Sequence, residues 1–209
     1  MDSKRCAMLV IVDYGMGNLG SIKNMLKKLG YASIITSDVE IIKSATRLIF
    51  PGVGSFDYGM IQIKELGLVD ILTHKVLIEK IPVLGICLGM QLMTSKSEEG
   101  VLKGLGWIKG KVCKFVSKSF KIPHMGWNTI HICKKNCLFD EMGDEKRFYF
   151  AHSYYVQCED IEDVLTTTQY AVEFVSSFQK SNIYGVQFHP EKSHKFGMQV
   201  LKNFMEISC

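Results

Sequence analysis

Val83-Leu84-Gly85-Ile86-Cys87-Leu88-Gly89-Met90-Gln91 is an apolar run that turns abruptly at a cysteine. Residues 82–86 predict a buried strand and a helix starts near Leu88, so strand, sharp turn and helix follow one another directly. Gly85 and Gly89 stand two residues to either side of Cys87. That is the spacing of a nucleophile elbow, where the central residue takes strained backbone angles and bulky neighbours would clash. Cys87 is therefore expected to stand exposed above a sheet. It also meets the free N–H groups and positive dipole end of the following helix, which favour thiolate over thiol.

Outward from this run, strands and helices alternate through the first half. Strands are expected at 8–12, 32–36 and 47–50, an amphipathic helix at 18–29 and helices over 57–80. The alternation predicts an α/β fold, a mostly parallel sheet with helices on its faces and sites at the carboxyl ends of the strands. After about Gly104 the pattern changes to short strands at 110–116, 129–133, 148–156 and 165–170, an antiparallel β extension. A helix at 193–205 follows. No repeat, linker or low-complexity stretch divides residues 1–209, which are read as a single domain.

A second motif supplies what the cysteine lacks. His189-Pro190-Glu191 follows the apolar strand expected at 183–188, and His189 and Glu191, two residues apart on an extended chain, point the same way. Pro190 fixes its own backbone and biases His189 toward an extended conformation. The carboxylate can then hold the imidazole, and the imidazole can activate Cys87 and protonate a leaving amine. A lone cysteine is usually inert and a lone histidine structural. Their joint occurrence after two strands favours catalysis.

These residues carry a family resemblance. The Gly-Ile-Cys-Leu-Gly-Met-Gln elbow and the His-Pro-Glu resemble the class I (triad) glutamine amidotransferases. More specifically, Asp13-Tyr14-Gly15-Met16-Gly17-Asn18, Pro51-Gly52-Val53-Gly54-Ser55-Phe56, Pro123-His124-Met125-Gly126-Trp127-Asn128 and His189-Pro190-Glu191-Lys192-Ser193 resemble the glutaminase subunits of imidazole glycerol phosphate synthases, nearly end to end. The resemblance implies Cys87 as nucleophile through a glutamine thioester, His189 as general base then acid, and Glu191 as its orienter. Backbone N–H groups of Leu88 and of Gly52-Val53 would form the oxyanion hole, the latter after a peptide reorientation that Gly52 and Gly54 make cheap. Gln91, His152, Ser153 and Tyr154 match positions that hold glutamine. Met125, Trp127, Asn128, Tyr149 and Lys192 match positions facing a TIM-barrel cyclase that receives the ammonia and makes imidazole glycerol phosphate and AICAR in histidine biosynthesis. Family aside, Trp127 reads equally well as core and Lys192 as a surface charge. No synthase portion is visible, so the ammonia acceptor should lie on a separate partner subunit.

Composition sets limits on other classes. The net charge of +4 is spread in pairs and singles such as Lys27-Lys28 and Lys134-Lys135, without the basic stripe and interleaved aromatics of a nucleic-acid binder. No signal peptide or membrane-spanning run is apparent, and the seven cysteines lack disulfide spacing, so a cytoplasmic protein is expected. Cys133, Cys137 and His131 form a local cluster without a second pair at zinc spacing, and neither metal nor cofactor is expected. The competing motif is Gly15-Met16-Gly17-Asn18-Leu19-Gly20, a formal dinucleotide fingerprint with Asp38 after the next strand. It keeps a nucleotide-binding protein as an alternative, beside a non-catalytic regulatory subunit and a cysteine hydrolase. Finally, Gly104-Leu105-Gly106-Trp107-Ile108-Lys109-Gly110 and His194-Lys195-Phe196-Gly197-Met198 depart from the histidine-pathway pattern. They resemble paralogues that supply ammonia for amidination of a bacterial surface sugar.

Overall fold

The computed structural model describes residues 8–143 and 145–207. Cys6 and Cys209 lie outside them. The chain runs β1 (Leu9–Val12), α1 (Leu19–Lys28), β2 (Ser33–Thr36), α2 (Val39–Lys43), β3 (Arg47–Gly52), α3 (Phe56–Glu65) and α4 (Leu68–Thr73). A π-helical turn (His74–Ile78), β4 (Val83–Cys87) and α5 (Leu88–Leu92) follow. The second half is β5 (Lys96–Ser97), β6 (Gly110–Lys114), β7 (His124–Thr129), β8 (His131–Ile132), β9 (Arg147–His152) and β10 (Tyr154–Cys158). It continues through β11 (Val164–Gln169), β12 (Glu173–Lys180) and β13 (Ile183–Val186) to α6 (His194–Glu206).

The main sheet has the order β2-β1-β3-β4-β13-β12-β10-β6-β5, with β11 and β8 attached beyond β12. From β2 to β13 the strands are parallel, and β12 then begins the antiparallel part. The central strands are apolar throughout and buried on both faces, as Leu9–Val12 and Val83–Cys87 show, because helices cover both sides. One face packs Val10, Leu48, Phe50 and Val83 against α3 and α4. The other packs Ile11, Ile49 and Leu84 against α1 and α6 through Ile22, Leu26, Val200, Leu201 and Phe204. Helix starts follow local chemistry. The Asn18 side chain accepts from Ser21 N–H, and Asp38 accepts from Glu40 and Ile41 N–H. No helix of the described residues is long and apolar enough to cross a membrane.

Several expected boundaries move. The strand expected at 148–156 is two strands broken at Ser153, β9 pairing with β7 in a separate two-stranded sheet and β10 joining the main one. The strand expected at 129–133 shrinks to β8, and β7 precedes it. The eight-residue β12 has no counterpart among the expected strands. Its Ser176 and Ser177 are buried and hydroxyl-bonded to Thr166, so their polarity disguised an interior strand.

Candidate active site

Three parallel neighbours, β3, β4 and β13, end side by side, and everything reactive hangs from their carboxyl ends. Gly52 pairs in register with Cys87, and Val186 with Ile86, so the residue after Val186 falls beside Cys87. Cys87 carries φ 53° and ψ −111° between β4 and α5, the strained elbow expected from the flanking glycines. A Cβ on Gly89 would lie 1.7 Å from the Phe50 carbonyl oxygen, and one on Gly85 2.8 Å from Met90 backbone atoms. The turn therefore closes only with glycine at both places.

Cys87 does not stand clear of the surface. It is 6 % exposed, at the bottom of a pocket of about 280 Å³. Loops absent from the strand-turn-helix picture build the walls: Val53 and Gly54 after β3, Pro123 and Met125 at β7, and the Ala151-His152-Ser153-Tyr154 break. Leu88, Gln91 and Glu99 complete the lining.

His189 Nδ1 lies 2.8 Å from Glu191 Oε1, and both side chains are 2 % exposed. The route to this contact differs from the extended-strand expectation. β13 ends at Val186, and Glu191 sits in a 3₁₀ turn, Pro190–Lys192, opened by the proline. With Nδ1 taken by the carboxylate, Nε2 is the nitrogen left to bond the Cys87 sulfur. Burial is the largest influence on His189 and pulls its pKa down. Hydrogen bonds to Cys87 and Glu191, and their negative charges, together outweigh it and hold the pKa up at about 10. The ring is held as an imidazolium between Cys87 and Glu191.

A polar network behind the sulfur fixes the pocket floor. The Tyr154 carbonyl accepts from His152 Nδ1 at 2.7 Å and from Gln91 Nε2 at 3.1 Å. Gln91 Nε2 also donates to Gln187 Oε1 at 3.0 Å, and Gln187 Nε2 reaches Cys87 Sγ at 3.6 Å. His152 Nε2 faces His124 Nδ1 at 3.0 Å, and His124 Nε2 faces the Asn128 amide nitrogen at 3.3 Å. A carbonyl only accepts and an amide nitrogen only donates, so each imidazole carries its hydrogen on Nδ1 and both are neutral. Burial lowers the pKa of His124 to about 4 and of His152 to about 3. His152 thus lines the pocket with both nitrogens occupied, so it shapes the site rather than exchanging protons.

The remaining residues singled out in the sequence fall into two groups. Met125 and Trp127 are 63 % and 43 % exposed. Trp127 stacks on His194 at 5.5 Å and meets Tyr149, its β7–β9 register partner, edge-on, while Lys192 Nζ lies 5.7 Å over the Tyr149 ring. Asn128 turns the other way and donates to the Gln169 carbonyl. Trp107, by contrast, is buried against Phe50 with its indole N–H on Thr73, and it does not line the pocket.

The glycine-rich loop does not look like a nucleotide cradle. Asp13 accepts from Gly15 N–H, Gly17 packs beside Gly52, and the Asp38 carboxylate is taken up capping α2. Gln187 and Glu99 carry no role among the residues expected from sequence, and Tyr14 and His124 appear there only within their motifs. Gln187 had a signal, since it stands two residues before His189 on the same chain. Glu99 lies in a loop whose course the sequence does not reveal. Tyr14 is fully buried with its hydroxyl against Gly52 and no partner among the described residues, and burial, then the negative charge of Cys87, raise its pKa.

With this geometry in place, comparison with known proteins is direct. Residues 10–207 match the family model described as glutamine amidotransferase class-I. The chain is 62 % identical to imidazole glycerol phosphate synthase subunit HisH 2 of Methanococcus maripaludis, over 95 % of this chain and 99 % of that protein. It is 45 % identical to the protein of the same name from Pseudomonas aeruginosa, over 96 % and 100 %. Among solved structures, a glutamine amidotransferase superposes with a TM-score of 0.72 at 18 % identity, covering 94 % of this chain and 97 % of that one, a likeness of fold.

Proposed function

The chain belongs to the class I glutamine amidotransferases, among the HisH subunits of imidazole glycerol phosphate synthase, and we propose that its Cys87, His189 and Glu191 hydrolyse the side-chain amide of glutamine. The observation that carries this is the buried His189–Glu191 pair, at 2.8 Å, beside a cysteine strained at φ 53°.

The Cys87 thiolate attacks the amide carbon, and the oxyanion meets the N–H groups of Leu88 and of the Gly52-Val53 peptide, opposite Cys87 in the sheet register. His189, already protonated and held by Glu191, gives its Nε2 proton to the departing nitrogen, so ammonia leaves and a γ-glutamyl thioester remains on Cys87. Neutral His189 then takes a proton from water, the hydroxide adds to the thioester, and collapse expels the thiolate and releases glutamate. The pocket, about 280 Å³, sits below the roughly 300–1,000 Å³ of drug-sized sites and suits an amino acid better than a nucleotide or peptide. Gln91, His152, Ser153 and Tyr154 hold or shape the glutamine backbone end. Glu99, the carboxylate in the lining, meets its α-ammonium.

The ammonia passes to a separate TIM-barrel cyclase, which completes the lyase chemistry yielding imidazole glycerol phosphate and AICAR in the cytoplasm. Met125, Trp127, Tyr149 and Lys192 form an exposed aromatic and cationic patch beside the pocket mouth, the composition that interfaces favour. Asn128 contributes from behind it, through His124 and His152. Turnover is slow until the partner binds, because the Gly52-Val53 peptide must first turn its N–H inward. Of the two departures from the histidine-pathway pattern, Trp107 is buried away from patch and pocket, while His194 stacks on Trp127 within the patch. The test is ammonia release by the full chain with and without the cyclase and its histidine-pathway nucleotide. Stimulation by that pair supports the assignment, and a free chain as fast as the loaded complex overturns the gating.

A further inference from the structure

We infer that Gln187 is a further catalytic residue, whose side-chain N–H donates to the Cys87 sulfur and holds it as a thiolate aimed into the pocket. The inference rests on the glutaminase reading above. Gln187 continues β13 beside β4, so the register that pairs Val186 with Ile86 delivers it next to Cys87. Its backbone N–H is bound to the Ser176 carbonyl at 2.9 Å, and its side chain is fully buried, so it is held at both ends.

The direction of the amide follows from a chain of partners that begins at a backbone carbonyl. Tyr154 O can only accept, so the Gln91 atom 3.1 Å from it is the NH₂. That same NH₂ faces Gln187 at 3.0 Å, so the Gln187 atom there is oxygen. Gln187 Nε2 is left pointing at Sγ, 3.6 Å away. Turning the amide over would set two NH₂ groups against each other and an oxygen against the sulfur. A buried donor locked onto an anionic sulfur is a charge-assisted hydrogen bond, among the stronger kinds. His189 holds the sulfur from one side and leaves when it donates its proton. Gln187 cannot give up its proton and stays through both halves of the reaction, ready to receive the thiolate when the thioester breaks.

Gln187→Glu removes the donor and adds a charge beside the sulfur, and Gln187→Met removes the donor without the charge, so an effect shared by the two belongs to the lost N–H. In Gln187→Glu a carboxylate oxygen still accepts from Gln91 and keeps the pocket floor in place, while the N–H facing sulfur is replaced by an acceptor. Iodoacetamide alkylation of Cys87 is followed against pH in the full chain, and glutaminase kcat and KM are measured in the complex. In Gln187→Glu the midpoint of the alkylation profile should move up by about one pH unit or more. kcat should fall roughly tenfold to hundredfold, with KM changed less than about threefold. Gln187→Met, close in volume and free of added charge, should show the same loss of kcat together with a raised KM, and it replaces the glutamate variant should that fail to fold. A wild-type alkylation profile and kcat in either folded variant overturn the inference. A defect confined to KM does so too, since Gln187 would then only anchor Gln91. Absence of ammonia release from the wild-type complex would instead strike the proposed function, so the two failures are distinguishable.

Discussion

Replacing Glu191 with glutamine tests how much of the nucleophile's activation comes from the buried carboxylate. The amide oxygen can take the place of Oε1 and still accept from His189 Nδ1, so the imidazole keeps its orientation and only the charge is lost. The new NH₂ would occupy the position of Oε2, which is buried with no hydrogen-bond partner among the described residues. The rise of His189 from 6.5 to about 10 corresponds to roughly 5 kcal/mol of net preference for the imidazolium, with burial opposing it and two anionic neighbours supplying it. Both side chains are 2 % exposed, so solvent screens little of it. Loss of a buried charge-assisted hydrogen bond of this kind costs on the order of 1.5–3 kcal/mol and should lower kcat roughly 10- to 150-fold. The sign for stability follows. A histidine raised in the folded state stabilises it fully below pH 6.5, and that contribution is lost as pH rises toward about 10. The urea midpoints of wild type and Glu191→Gln should therefore differ most near pH 6 and converge toward pH 10. A variant with unchanged kcat, or a stability gap that widens with pH, would refute the reasoning.

Gly89→Ala places a methyl group 1.7 Å from the Phe50 carbonyl and should cost about 3 kcal/mol or more together with most ammonia release; a variant with wild-type urea midpoint and rate would show that the elbow tolerates a side chain. Tyr14→Phe removes a buried hydroxyl that has no partner among the described residues, so the thermal midpoint should hold or rise by an amount worth about 1 kcal/mol, and a clear fall would mean the hydroxyl is satisfied in solution. His124 and His152, neutral in the fold and lowered by burial to about 4 and about 3, contribute stability that is complete above about pH 6.5. It is lost as pH falls through those values, so a His124→Asn, His152→Asn double variant should lose less stability than wild type between pH 6 and pH 4 in urea titrations.

The elbow was legible because strain, close approach and nucleophile share one short segment, where Gly85, Cys87 and Gly89 have to be what they are. The parallel half was legible for a similar reason, since fully buried strands such as Leu9–Val12 are uniformly apolar. The antiparallel half was not. β12 carries Ser176 and Ser177 into the interior, and β9 and β10 read as one run because the break at Ser153 has no glycine or proline to mark it. The depth of Cys87 was also hidden, since the pocket walls come from loops distant in sequence. The His189–Glu191 contact was anticipated, although by the wrong backbone: a 3₁₀ turn, not an extended strand, closes it. Gln187 was the residue most within reach, and it went unremarked because an amide carries no charge to draw attention.

The most direct test of the central claim is acid-quench mass spectrometry of the complex during turnover of glutamine, with the adduct mapped by peptide. One γ-glutamyl group on the peptide holding Cys87, present during turnover by the wild-type complex and absent in Cys87→Ala, is the result expected. Ammonia release continuing in Cys87→Ala, or a γ-glutamyl adduct on another residue, would contradict it.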